Sequence, residues 1–330
     1  MNENRFYNFK KTITNKEYGK YWTAAKKTFD IDFKNNSFVN KGSRNYFPEI
    51  YDPKFNDNDL LDVNFENNED KKILKLGTKN LCLLKKSKNR TLIYAQDYLK
   101  SIDSCLKEKD IVCEVGSGSG LLSALINEKK KTTNILIDIP DVLLTAISLI
   151  FTLFPNKVFL LPNEIKELSL PINFNQYDFI FLTPDMTHYV QNESVKLGIN
   201  TQSFMEMDMI EVDNYLNYFE KIILDKGYFF CSNRIRKRHY FFEYKFYLLK
   251  NFKKVFLKKN QFFYSSPNLS SMLDFLLKKD MNLNKKSINF SFFEKIIILS
   301  KFKPKEFLRW LIWDFQRLFK KINTMKNIFS

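Results

Sequence analysis

Between residues 91 and 250 the chain alternates two kinds of apolar spacing. Over 91–106, Leu92, Ala95, Leu99, Ile102 and Leu106 recur at helical intervals. Short, nearly continuous apolar runs at 111–115, 134–138, 157–161, 177–182 and 227–232 read as strands buried on both faces. Helical patterns fill 120–128, 141–154, 204–225 and 238–250. Strands alternating with helices predict an α/β fold, a mostly parallel sheet with helices on both faces. The segments 253–257 and 262–265 read as a closing antiparallel pair.

The two ends have a different texture. Residues 16–29 carry Tyr18, Tyr21 and Trp22 in a helical pattern, 34–68 is rich in Asn, Asp, Gly and Pro and reads as loop, and 71–84 reads as helix. The segment 1–90 is therefore expected to be a cap region packed on a core spanning 91–270. In the extension 271–330, residues 305–322 place Leu308, Leu311, Ile312, Phe315, Leu318, Phe319 and Ile322 on one helical face, opposite Arg309, Arg317, Lys320 and Lys321. A basic amphipathic helix of this kind suits docking on the cap, on a neighbouring subunit in a homo-oligomer, or on a membrane surface.

Only eight glycines occur in 330 residues, and three of them, Gly116, Gly118 and Gly120, stand at alternate positions where the first strand meets its helix. Glycine accepts positive φ and lets a ligand approach bare peptide groups. A strand, a glycine turn and a helix in that order form the phosphate- or nucleoside-binding crossover of a doubly wound sheet. The spacing is G-x-G-x-G, with Glu114 two residues ahead, rather than the G-x-G-x-x-G of a dinucleotide site. Twenty residues on from Gly118, the second strand ends at Asp138, where a carboxylate can accept two ribose hydroxyls. The bland alternative is that Asp138 caps the helix that follows.

Charge changes the picture in one respect. The formal net charge is +16, but 111–230 holds 8 Lys+Arg against 15 Asp+Glu, so an acidic core sits between basic flanks of net +23. Such flanks favour anionic partners. Lysine outnumbers arginine 45 to 8, and Asn, Ile and Phe are abundant, the bias an AT-rich genome imposes. The four cysteines form no C-x-x-C pair, and Cys113 and Cys231 fall in expected strands, which suits a reducing cytoplasm. The first residues contain no apolar signal region, and the longest mostly apolar run, 142–154, is too short to span a bilayer. The chain is expected to be cytoplasmic, with any membrane contact peripheral.

Catalytic candidates follow from where such sheets bind ligands, beyond the carboxyl ends of their strands. Taking 177–182 as the fourth strand, His188 or Asp185 would take a proton from an acceptor hydroxyl. Ser203 and Glu206 form the S-x-x-E pattern of a capping box opening the helix at 204–225. After the fifth strand, Asn233 and Arg234 would project over the pocket, and arginine suits phosphate or carboxylate.

The segments YAQDYL (94–99), CEVGSGSGLLSALI (113–126), IDIPDVLLTA (137–146), NTQSFMEMD (200–208) and SNR (232–234), in that order, resemble bacterial sugar O-methyltransferases associated with surface polysaccharides. The resemblance covers about 90–270, and Ser117 and Ser119 depart from the more glycine-rich turn usual there. It implies a Rossmann-like class I methyltransferase using S-adenosylmethionine, held by Glu114, Gly116, Ser117, Gly118, Gly120, Asp138 and Ile139, with Asn163 or Glu164 on the adenine. It implies a sugar or glycan acceptor, nucleotide- or lipid-linked, held by Asn200, Glu206, Asn233 and Arg234. No compact acidic triad demands a metal, although Asp185, Glu206 and Asp208 leave a metal site open. Two other readings compete. An RNA methyltransferase would use the basic flanks, but no RNA-binding module or N-P-P-[YF] signature is present, so nucleic acid is not the expected partner. A non-catalytic scaffold at the membrane would use the tail.

Overall fold

The computed structural model describes residues 3–13, 31–34, 37–40, 90–165, 167–168, 171–234, 236–237, 240–241, 249, 251–260 and 272–282. The helices expected at 16–29, 71–84 and 305–322 lie outside the described residues. In chain order the described elements are α1 (Glu3–Ile13), β1 (Ile31–Lys34), β2 (Ser37–Asn40), α2 (Arg90–Ile102), β3 (Ile111–Val115), α3 (Leu121–Lys130), β4 (Thr133–Ile137), α4 (Pro140–Leu153), β5 (Phe159–Leu160), α5 (Pro162–Ile165), β6 (Phe179–Leu182), β7 (Val195–Thr201), α6 (Met209–Ile222), β8 (Ile223–Arg234), β9 (Arg236–Lys237), β10 (Tyr240–Phe241), β11 (Phe252–Lys259) and β12 (Met272–Lys279).

Eight strands make one sheet in the order β11-β12-β8-β7-β3-β4-β6-β5. From β5 through β8 the strands are parallel; β12 runs antiparallel to β8, and β11 antiparallel to β12. Helices α2, α3 and α4 cover one face, and α6 covers the other through Val212, Leu216, Phe219 and Ile222. Burial on both faces is why β3, β4 and β6 read as mostly apolar runs rather than alternating ones, with Glu114, Thr133 and Asn134 as buried polar exceptions. This is the α/β, Rossmann-like architecture expected from the sequence.

The chain passes from β3 to its neighbour β4, goes on to β5 at the sheet's edge, comes back to insert β6 between β4 and β5, and then crosses to place β7 on the other side of β3. The order therefore reverses between β3 and β7, and a crevice opens at their carboxyl ends. Here the sequence reading needs correction. The fourth strand of that reading, β6, is not β3's neighbour but lies beyond β4. The strand beside β3 is β7, unrecognised in the sequence although Val195, Leu197 and Ile199 alternate. Lys196, Gly198 and Asn200 interrupt its apolar run and disguise it.

Other boundaries move for physical reasons. The helix expected at 204–225 begins only at Met209, after a short 3-10 turn at Phe204–Glu206, and Ile223 already belongs to β8. The partner of β11 is β12, not 262–265, which lies outside the described residues. Tyr240–Phe241 pairs with Arg236–Lys237 as a hairpin, so the helix expected at 238–250 does not form there. Ser37–Asn40, expected as loop, pairs with Ile31–Lys34.

Helix α4 is buried at twelve of its fourteen positions, Pro140 and Leu143 among them. One side faces the sheet, and α1 and the β1–β2 hairpin cover another, burying Phe6, Phe9, Ile31 and Phe33. Arg5 fastens α1 to the sheet edge, donating to the carbonyl of Phe159 (2.7 Å) and to Glu164. Among the described residues no helix is long and apolar enough to cross a membrane. Phe6→Ala and Phe9→Ala should each cost about 3–5 kcal/mol, the ordinary loss for a fully buried ring. Urea unfolding monitored by circular dichroism checks this; losses below about 1 kcal/mol would show that the N-terminal segment is not part of the core.

Candidate active site

The crevice between β3 and β7 is built first by the glycine turn. Gly116, Gly118 and Gly120 have φ of +72°, +56° and +72°, in the region where a side chain is strained. Their surroundings differ. A Cβ on Gly116 would overlap the side chain of Ser203, and one on Gly120 would meet Ile150, Leu136 and Ala146 at 2.8–3.1 Å. A Cβ on Gly118 would meet nothing within 4 Å. The first and third glycines thus allow close packing, and the second leaves open space against bare backbone. The Ser117 side chain between them is buried, and its hydroxyl has no hydrogen-bond partner.

Asp138, just past β4, reaches back to this turn. Its Oδ2 accepts from the amide of Gly118 and its Oδ1 from the amide of Ile139, both at 2.8 Å. Helix α4 starts from Ile139 with Pro140 in its first turn, so Asp138 is spent on the glycine turn more than on the helix. Burial pushes its carboxyl up to about 7; the two amides pull it back, and the charge of Glu206 adds to the rise. Glu114 is buried beneath the turn and accepts from Ser123 Oγ at 2.7 Å. Burial pushes it up to about 8, the Ser123 hydroxyl offsets part of this, and the charge of Asp138 adds to it.

The opposite wall is the turn after β7, and Asn200 holds it. Its Nδ2 donates to the Val115 carbonyl (2.9 Å) and to Ser203 Oγ (2.7 Å). Its Oδ1 accepts from the amide of Phe204 (3.2 Å) and from Asn233 Nδ2 (2.8 Å). Asn233 Oδ1 in turn accepts from the amide of Met205 (3.2 Å). Both asparagines are fully buried, so their side chains shape the wall rather than face an acceptor as the sequence suggests. Ser203 makes no side-chain cap to the 3-10 turn, so the capping box does not form; its side chain lies against Gly116. Glu206 is exposed at the end of this turn.

Gln202 in the same turn has φ +59°. Its amide donates to the Ser232 carbonyl (2.7 Å) and its side chain to the Tyr98 hydroxyl (3.1 Å), contacts that hold the unusual backbone. Ser232 Oγ lies 3.1 Å from that hydroxyl and donates to Asp274. Its single proton being used there, the Tyr98 hydroxyl donates to Ser232. Burial raises Asp274 to about 6; Ser232 and Lys258 offset part of this. No motif in the sequence marks Tyr98, Gln202, Ser203 and Ser232 as parts of one wall, because they come from three distant segments.

The remaining candidates lie elsewhere. Asp185 and His188 sit in the exposed turn after β6, separated from β3 by β4; His188 Nδ1 is 3.0 Å from the Asp185 carbonyl oxygen, and Asp185 accepts from Thr183 Oγ1 (2.6 Å). That position follows from the strand order and puts them on the β4 side of β3, away from the β7 wall. The Asp138 amide donates to the Leu182 carbonyl, so their turn lies beside Asp138 instead. Asn163 and Glu164 lie at the far edge after β5. Glu164 is paired with Arg5 and accepts from the amide of Leu161, and Asn163 Oδ1 is buried without a partner. Arg234 ends β8 opposite Met272. Among the described residues no group of three or more His, Cys, Asp or Glu is placed to hold a metal ion.

No family model matches the chain, and no curated protein matches it. Among solved structures, the N-methyltransferase NodS from Bradyrhizobium japonicum is 14% identical, with a TM-score of 0.40 over 67% of this chain and 99% of that one. A phosphoethanolamine N-methyltransferase from Haemonchus contortus, solved with S-adenosylhomocysteine, is 8% identical, with a TM-score of 0.39 over 57% of this chain and 52% of that one. At these scores the fold is read from the strand order itself.

Two outcomes are expected of the free protein. Gly118→Ala should fold with a loss of about 1–2 kcal/mol, the cost of a left-handed alanine, whereas Gly116→Ala, which must also displace Ser203, should lose clearly more by denaturant titration. Glu114, Asp138 and Asp274 hold protons more tightly folded than unfolded, since their ordinary values lie near 4. Their contribution to stability is full below about pH 4 and is lost as pH rises towards 8. A melting temperature that climbs from pH 6 to pH 8 would contradict the burial of these carboxyls.

Proposed function

We propose that this protein is a methyltransferase that binds S-adenosylmethionine in the β3–β7 crevice and methylates a sugar hydroxyl. The observation that carries the reading is the open space over Gly118 with Asp138 beside it, at the point where the strand order reverses. The residues fit the cofactor. Each Asp138 oxygen accepts one amide and keeps a lone pair, enough for the two hydroxyls of a ribose. The unpartnered Ser117 hydroxyl supplies a polar contact inside the turn. The cofactor's amine and sulfonium are cationic, which suits a crevice flanked by Asp138 and Glu206.

When bound, the cofactor supplies a methyl group already activated by its sulfonium. The protein must then place an acceptor oxygen about 3 Å from that methyl, in line with the bond that breaks, and receive a proton. The Asn200–Ser203–Asn233 network fixes the wall against which the acceptor lies. Glu206, exposed on that wall, is assigned to receive the proton. The turn carrying Thr183 to His188, adjoining Asp138, is assigned to the nucleoside side. The sugar acceptor rests on the sequence resemblance.

Calorimetry on wild type and Asp138→Ala tests the cofactor. Micromolar binding of S-adenosylmethionine is expected, weakened in the variant by about 1–3 kcal/mol, the cost of unpaired polar groups. No binding by the folded wild type would end the methyltransferase reading. The pH dependence has a sign as well. A cation and a diol both prefer ionised Asp138, so affinity should rise with pH through about 7 and level off above it. Affinity independent of pH between 6 and 8 would exclude Asp138 from the contact.

A further inference from the structure

Gln202 directly follows β7, on the wall assigned to the acceptor. Its backbone is left-handed, at φ +59°, where glycine or asparagine costs less than a longer side chain. The turn alone therefore does not explain a glutamine there. What its amide presents to the crevice is set by the groups behind it. Asp274, when ionised, only accepts, from Ser232 Oγ and from Asn260 Nδ2 (2.9 Å). Ser232 spends its one proton on Asp274, and Tyr98 spends its own on Ser232. Burial raises Tyr98 well above its ordinary value, so the hydroxyl keeps that proton. The Tyr98 oxygen is then left to accept, and Gln202 must meet it through Nε2 (3.1 Å).

The amide is thus held in one sense, with its nitrogen on Tyr98 and its oxygen turned away from it. Gln202 is half-buried, and its Oε1 accepts no hydrogen bond from the described residues and is not sealed from solvent. Glu206 stands in the same short turn, closed by its own amide donating to the Ser203 carbonyl (2.9 Å). One turn therefore offers two acceptors, an oriented carbonyl and a carboxylate, which suits a ligand that brings two donors. We infer that Gln202 is a specificity-determining residue: its Oε1 takes a hydrogen bond from a second hydroxyl beside the one whose proton goes to Glu206. The substrate class narrows from a sugar hydroxyl to a diol. An acceptor with a lone hydroxyl is rejected because it leaves Gln202 without its partner. Tyr98 is a positioning residue that acts through Gln202. This inference rests on the methyltransferase reading above.

The test is transfer of labelled methyl from S-adenosylmethionine at pH 8 to the methyl pyranosides of glucose, mannose, galactose and rhamnose, then to the monodeoxy analogues of the best acceptor. In wild type, removing one hydroxyl that is not itself methylated should lower kcat/KM roughly tenfold or more. Gln202→Ala should lose a similar factor on the intact sugar, and in that variant the same deoxygenation should cost little more. Gln202→Asn suits the left-handed backbone but shortens the side chain, and should lose as much as Gln202→Ala. Tyr98→Phe should lose less and shrink the penalty of deoxygenation. S-adenosylhomocysteine, followed by calorimetry, should bind all three variants as it binds wild type. Loss of that binding in Gln202→Asn assigns the residue to the fold and overturns the inference. Equal deoxygenation penalties in wild type and Gln202→Ala overturn it alone, as does a best acceptor that tolerates every deoxygenation. Wild type that binds S-adenosylhomocysteine but methylates no pyranoside overturns the sugar acceptor and this inference with it. Wild type that fails to bind S-adenosylhomocysteine overturns the methyltransferase reading as well.

Discussion

One buried amide holds the crevice in shape. Asn200 stands at the carboxyl end of β7, and its two donated and two accepted hydrogen bonds tie together the end of β3, the turn after β7 and the end of β8. A buried polar group is costly unless it is fully bonded, and Asn200 meets that condition only in this arrangement. The Val115 carbonyl it engages directly precedes the glycine turn. The Ser203 it engages lies against Gly116. The position of one wall is thereby set relative to the other by a side chain wholly shielded from solvent.

The glycine turn, Glu114 and Asp138 were legible because each expresses a local need. Positive φ calls for glycine, and an acid at a strand end is visible by its spacing. The strand order was not legible. Val195 to Thr201 has an apolar alternation, but Lys196 and Asn200 fit a surface loop equally well until the neighbours are known. Missing that one strand moved β6 into its place and carried His188 and Asp185 with it. The same limit applies to Asn200 and Asn233. As residues near strand ends they read as ligand contacts, whereas only their partners show them to be buried and fully used.

Helix α4 shows a local signal with a non-local cause. Its sequence is apolar nearly all round, which a helix on one face of a sheet does not require. The explanation lies more than 100 residues earlier, in Phe6, Phe9, Ile31 and Phe33, which cover its outer side. Those residues looked like an appended cap, yet they share one hydrophobic cluster with the sheet. Since α4 starts immediately after Asp138, the packing of the chain's first residues also bears on where that carboxylate stands.

If the crevice binds S-adenosylmethionine as proposed, the five carboxylates in the turns after β4, β6 and β7 have a kinetic consequence. A sulfonium loses its positive charge when its methyl group leaves, so the spent cofactor carries one unit of positive charge less than the fresh one. A field of fixed negative charge attracts the fresh form from a distance and holds the spent form less well. The crevice would therefore favour exchange in the productive direction after each turnover, and that bias would fade as salt screens the carboxylates.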